Sequence, residues 1–232
     1  MGKIIGIIGG MGPLSTVELM RKVIELTPAK ADQDHIRMLV DNRPQIPDRT
    51  EFILGKGPSP VPMLQESARM LEKWGADVLA IPCNTAHAFI EEIRTAVHIP
   101  ILDMLELTSN YLQANFPQDS LIGILSTTGS RRIQLFEKYF HSYRLIYPED
   151  TIQETHIMQA VYGERGIKSR GVLPENRRLL WEAARSLQTL HPRAIVVGCT
   201  EIALAFKNKF DKIPVINPLH ILARELVNFA LK

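Results

Sequence analysis

The sequence predicts an α/β protein built from two similar halves, each a mainly parallel four-stranded sheet flanked by helices. Short apolar runs alternate with helical patterns along the whole chain, an order that calls for parallel strands with helices on both faces. About eight runs qualify as strands, enough for two sheets of four. The two halves also echo one another: KIIGIIGGMGPLS (3–15) resembles SLIGILSTTGSRR (120–132), and WGADVLAIPCNTAH (74–87) resembles LHPRAIVVGCTEIA (190–203), in the same order.

The elements follow in turn. Residues 3–8 read as a strand, and Pro13 suits the first turn of a helix running to about Thr27. Residues 36–40 are a second strand, and DNRPQIPDRT (41–50) reads as a loop because it is crowded with proline, aspartate and arginine. Pro60 and Pro62 open a helix with Leu64, Ser67, Leu71 and Trp74 on one face, and Gly75 closes it. A strand at 77–81 leads to Cys83, with a helix expected to start near Asn84 or Thr85. Further strands are expected at 99–102, 121–125, 194–197 and 213–216, and helices at 103–115, 129–140, 174–189 and 218–231. IPVINPLHILA (213–223) echoes IPILDMLELTS (99–109), so the last strand and helix are expected to return to the first half. The expected domains are 1–98 with 213–232, carrying Cys83, and 99–212, carrying Cys199.

Composition narrows the function classes. The chain has 232 residues, 45% of them apolar, so a packed core is expected rather than disorder. The net charge is +2 with no basic block, which argues against a nucleic-acid partner. No apolar run approaches the ~20 residues of a membrane span, and the start MGKIIGIIGG lacks a signal-peptide cleavage site. The expectation is a cytoplasmic protein with reduced thiols and no membrane partner.

Chemistry centres on the two cysteines, Cys83 and Cys199, the only two in the chain. Each ends a buried-looking strand, where open parallel sheets bind ligands. Each is also expected at a helix N-terminus, whose dipole favours an anion and lowers a thiol pKa. A buried cysteine is more often a small hydrophobe, but two in one unusual context point to function. Zinc is not expected, because neither has a second cysteine or histidine at ligand spacing, and His87 reads as structural. Two thiols flanking one substrate carbon suit a two-base inversion: a thiolate takes a proton from one face and a thiol returns one to the other. That reading requires that neither sulfur be sealed in the interior.

Two turns join them. Met11 follows Gly9 and Gly10 at the first strand-to-helix turn, where backbone N–H groups approach an anion. A dinucleotide site is not expected there, since GGMGPL lacks the third glycine of the fingerprint and no acidic residue is suitably placed about 20 residues on. Its counterpart is STTGS (126–130), which reads either as helix capping by Ser126 or Thr128 or as contact of Thr128 with a substrate carboxylate.

GGMGP, DNRPQIPDRT, PCNTAH and GCTEI, in this order, resemble the aspartate/glutamate racemase superfamily over essentially the whole chain, with DNRPQIPDRT pointing to its aspartate racemase branch. The resemblance implies two pseudo-symmetric α/β domains with the active site between them, an isomerase using neither pyridoxal phosphate nor a metal, and a homodimer. It makes Cys83 and Cys199 the catalytic pair. It makes Arg49 and Lys168, the latter in a mobile loop YGERGIKSR, the basic residues of the site, and lines the same cleft with Asn84, Thr85, Thr200 and Glu201. Physically, a carbanion α to a carboxylate needs cations and aimed donors to hold its charge. The activity expected is cofactor-independent racemisation of aspartate. A glutamate-preferring or broad-specificity racemase, a non-catalytic amino-acid-binding module and a thiol redox protein are the alternatives; the absence of a C-x-x-C pair disfavours the last.

Overall fold

A computed structural model describes residues 2–206 and 209–232. The chain divides into two compact units, Met1–Thr108 with Leu219–Lys232, and Ser109–Pro218.

The first unit carries a parallel sheet of β1 (Ile5–Gly9), β2 (Met38–Asn42), β3 (Val78–Ala80) and β4 (Ile101–Leu102), in the order β2-β1-β3-β4. Period-two alternation sends the side chains of β1 to both faces, and both are covered. Ile8, with Leu79 and Ile81, packs under Leu64, Ala68 and Leu71 of the helix Val61–Lys73. Ile5 and Ile7, with Val78 and Ala80, pack under Leu19 and Val23 of the helix Pro13–Leu26 and under Leu222 and Leu226 of the helix Pro218–Ala230. Trp74, expected on the buried face, caps its helix with half its surface in solvent, because the chain turns away at Gly75 (φ +94°).

The second unit carries β5 (Leu121–Ser126), β6 (Arg144–Ile146), β7 (Ala194–Gly198), β8 (Lys209–Phe210) and β9 (Ile213–Ile216), in the order β6-β5-β7-β9-β8. All pairs are parallel except the edge pair β8–β9. The strand order 2-1-3-4 therefore occurs twice: β5 stands where β1 stands, and β7 where β3 stands. The internal echo read from the sequence is a structural repeat, with β8 added at one edge. One face is covered by Leu180, Ala183, Ala184 and Leu187 of the helix Pro174–Gln188 and by Ile157, Ala160 and Val161.

Two strands were expected on the wrong side of the division. β4, assigned to the second domain, pairs with β3; β9, assigned to the first, pairs with β7. Each follows a short helical crossover from the strand it pairs with, and such a crossover returns the chain to the neighbouring parallel position. The helix after β9 does pack on the first sheet, as expected. The DNRPQIPDRT segment is a loop only in its middle: β2 runs on through Asn42, and Asp48 caps a helix Arg49–Ile53 by accepting the Glu51 N–H at 3.0 Å. The sequence reading also missed β6 and a helical stretch over 150–162, whose middle, Gln153–Met158, is wound as a π-helix.

Candidate active site

The two cysteines occupy equivalent places in the two units. Cys83 follows β3 after Ile81 and Pro82, and Cys199 directly follows β7. Both residues are buried, each with 5% of its surface exposed. Thr85–Phe89, after Cys83, is a single 3-10 stretch, and Thr200–Ala205, after Cys199, is one short α-helix.

Around Cys83 the geometry is fixed by His87. The ring is buried; its Nδ1 lies 2.8 Å from the Cys83 carbonyl and its Nε2 accepts the Met104 N–H at 3.1 Å. Those two partners specify a neutral imidazole with its proton on Nδ1. Burial holds its pKa below the usual histidine value. The helix that Met104 opens is capped by Asp103, whose Oδ1 accepts from Leu105 N at 2.9 Å and Glu106 N at 3.1 Å. His87 thus clamps the carbonyl of Cys83 to the start of the next helix.

Beside it, Asn84 is 2% exposed, and neither its amide nitrogen nor its amide oxygen has a hydrogen-bond partner. An unengaged buried amide costs about 1–3 kcal/mol per group, and here it leaves both a donor and an acceptor beside Cys83. Thr85 is buried next to it. Met11 packs into the same apolar cluster as Cys83 and Ala86. Gly10, just before it, has φ +92° and a backbone so near Arg43 that a Cβ would lie 2.3 Å from the Arg43 carbonyl carbon. Arg49 is 5% exposed; its guanidinium donates to the carbonyls of Pro47 at 3.0 Å and of Ile46 and Met11 at 3.4 Å. It therefore ties its own loop to the Met11 turn.

Around Cys199 the electrostatics depart from expectation. Lys168 Nζ donates to Glu201 Oε1 at 2.6 Å, and the Cys199 thiol donates to Glu201 Oε2 at 3.2 Å, as does Thr200 Oγ1. The Glu201 side chain is 5% exposed. Burial, the largest single influence, pushes its pKa up, but the Lys168 charge and hydrogen bond, with the hydrogen bonds from Cys199 and the backbone, together bring it below the usual glutamate value. The Cys199 thiol goes the other way: burial first, then the Glu201 charge, raise it well above the ordinary cysteine value, with Lys168 opposing. The helix-terminus argument for an acidified thiol thus fails at Cys199, because a helix of six residues supplies too little to offset desolvation and a carboxylate. Lys168 itself sits on the short helix Ile167–Arg170, pinned by the buried Ile167, with its ammonium 5.2 Å from the Tyr162 ring centre.

At the STTGS turn the cap is Thr127, which accepts from Ser130 N at 3.4 Å; neither Ser126 nor Thr128 takes that role. Thr128 Oγ1 instead donates to Glu154 at 2.6 Å and accepts from Gln153 Nε2 at 3.3 Å, and Gln153 also donates to the Ser126 carbonyl at 2.9 Å. Gln153 and Glu154 were not read from the sequence. The signal available was the polar stretch TIQET just after Pro148, but a π-wound segment has no 3.6-residue apolar period to detect.

In sum, Cys83, Asn84, Thr85, Met11 and Arg49 gather in the first unit, and Cys199, Thr200, Glu201 and Lys168 in the second, with Thr128 on a separate strand end of that second unit. Among the described residues no group of three His, Cys, Asp or Glu is arranged to hold a metal ion, and no helix is long and apolar enough to cross a membrane.

Residues 8–226 match the Asp/Glu/hydantoin racemase family. The chain belongs to that family. As a member of it, the protein is of the isomerase class. The chain is 27% identical to a broad-specificity amino-acid racemase of Bacillus subtilis, across 97% of this chain and 96% of that protein. It superposes on an aspartate racemase of Picrophilus torridus with a TM-score of 0.83 and 30% identity, covering all of this chain and 95% of the other. The fold is also that of an aspartate racemase homologue from Pyrococcus horikoshii, with a TM-score of 0.71 at 20% identity over the full length of both chains.

Proposed function

We propose that this family member is a cofactor-independent aspartate racemase in which Cys83 and Cys199 act on opposite faces of one α-carbon. The observation that carries the reading is the equivalence of the two thiols: each follows the third-position strand of one of two repeated sheets. In turnover, the thiolate of one cysteine takes the α-proton while the thiol of the other delivers its proton to the opposing face. The product leaves with inverted configuration and the two sulfurs have exchanged protonation states. Asn84 and Thr85 on one side, with Thr200 on the other, supply donors to the developing enolate, a contribution of several kcal/mol in such sites. Met11 and Thr128 hold the substrate at the two turns, Arg49 grips the side-chain carboxylate, and Lys168 offsets charge at the α-carboxylate. The active assembly is a homodimer in the cytoplasm.

A broader substrate range is the second reading. It is favoured by the Bacillus subtilis relative and by Arg49, whose guanidinium is already engaged by three backbone carbonyls.

The test is deuterium wash-in from solvent at the α-position, with a chiral assay across the amino acids and no added cofactor. Aspartate should exchange and racemise, and Cys83→Ala or Cys199→Ala should lower racemisation by about two orders of magnitude or more. Full activity in the Cys83→Ala protein sinks the mechanism; tight aspartate binding without exchange in the parent protein indicates a binding module instead.

A further inference from the structure

The Cys199 end of the site contains a carboxylate that the two-thiol scheme does not need. Glu201 is buried, two residues beyond the cysteine, and one oxygen lies 3.2 Å from Sγ while the other holds Lys168 Nζ at 2.6 Å. With both oxygens engaged in this way, it is badly placed to receive a substrate, least of all one bearing two carboxylates.

We propose that Glu201 is a positioning residue that keeps the resting proton on Cys199, with Lys168 as the counter-charge that limits how firmly it does so. The carboxylate accepts the S–H and thereby orients the thiol. Its negative charge opposes formation of a thiolate 3.2 Å away. Among the described residues, the charged groups acting on the sulfur are Glu201, from its own helix, and Lys168, from the helix Ile167–Arg170, with the Ile202 N–H as a backbone donor. The Thr200 hydroxyl shares the Glu201 Oε2 with the thiol, and Cys199 belongs to an apolar cluster that includes Leu125, Ile157 and Ile202. Desolvation acts in the same direction as the glutamate, and the lysine against both. It follows that the ligand-free protein holds its acid at Cys199; in the two-thiol reading, an acid there leaves Cys83 the part of proton acceptor. The enantiomer taken first is then the one presenting its α-hydrogen to Cys83. This consequence rests on the two-thiol reading, but the protonation claim can be measured without turnover.

The chain has two cysteines, so Cys83→Ser leaves Cys199 as the sole thiol. Its ionisation is followed by ultraviolet thiolate absorbance against pH, with the Cys83→Ser/Cys199→Ser protein subtracted to remove tyrosine. In the Cys83→Ser background the thiolate step should lie above the ordinary cysteine range of about 8.5. Glu201→Gln, nearly isosteric, should lower it by about one pH unit or more, since the anion is removed and the lysine remains. Glu201→Asp should keep most of the elevation. An unchanged or raised step in Glu201→Gln overturns the proposal, because a glutamate serving only to pin the Lys168 segment would not move it. If Glu201→Gln does not fold by circular dichroism, Lys168→Met decides: its step should rise above that of its parent, and a fall overturns the claim. Loss of racemisation with an unshifted thiol step would leave the two-thiol reading standing and remove this one; a shifted step in a protein that racemises nothing would do the reverse.

Discussion

His87 offers the sharpest test of how the first unit holds Cys83. In His87→Leu the side-chain volume is nearly kept, but the Cys83 carbonyl and the Met104 N–H both lose the imidazole, at 2.8 and 3.1 Å. Each of the two buried polar groups left short of a partner costs about 1–3 kcal/mol, and the leucine's extra apolar burial offsets about 1–2 kcal/mol, so a net loss of about 1–4 kcal/mol is expected. Against a typical total of about 5–15 kcal/mol that is a large change. The pH dependence gives a second signature. Burial lowers the folded-state pKa of His87, so below about 6.5 the unfolded chain binds the proton while the folded chain does not. Wild-type stability therefore falls as pH drops from about 6.5 toward the folded pKa, and the leucine variant lacks that component. Urea unfolding followed by tryptophan fluorescence at about pH 7.5 and about pH 5.5 should show a gap that narrows in acid. A loss below about 0.5 kcal/mol, or a gap that widens in acid, would refute the bridging role.

Two further outcomes follow from the same geometry. Gly10→Ala should cost several kcal/mol, or about 1–3 kcal/mol for the positive φ alone and more for the Cβ forced against the Arg43 backbone; a thermal melt within a degree or so of wild type would contradict it. Arg49→Lys should both destabilise the first unit and raise KM for aspartate, since an ammonium cannot reproduce the planar fork that reaches three carbonyls; an unchanged melting temperature with a raised KM would mean the guanidinium serves the ligand only.

The residues themselves determined a good deal of this. Apolar runs ending in glycine or cysteine, separated by helical patterns, specified parallel α/β units, because burial on both faces demands such runs. The doubled order of motifs announced the repeat, and Pro13, Gly75 and the strand-end cysteines marked positions that local chemistry fixes. Four matters were decided only in three dimensions. Apolar period does not encode which strand lies beside which, so β4 and β9 were allotted to the wrong sheets until their hydrogen bonds assigned them. The π-wound stretch carrying Gln153 and Glu154 has no periodic signature. His87 gains its role from Met104, a residue on another helix. The proton affinity of Cys199 depends on desolvation and on Lys168, 31 positions away in the chain but held to the same carboxylate. Local sequence chooses secondary structure and the kinds of side chain on offer; distances through space, and the water excluded along them, set their charge.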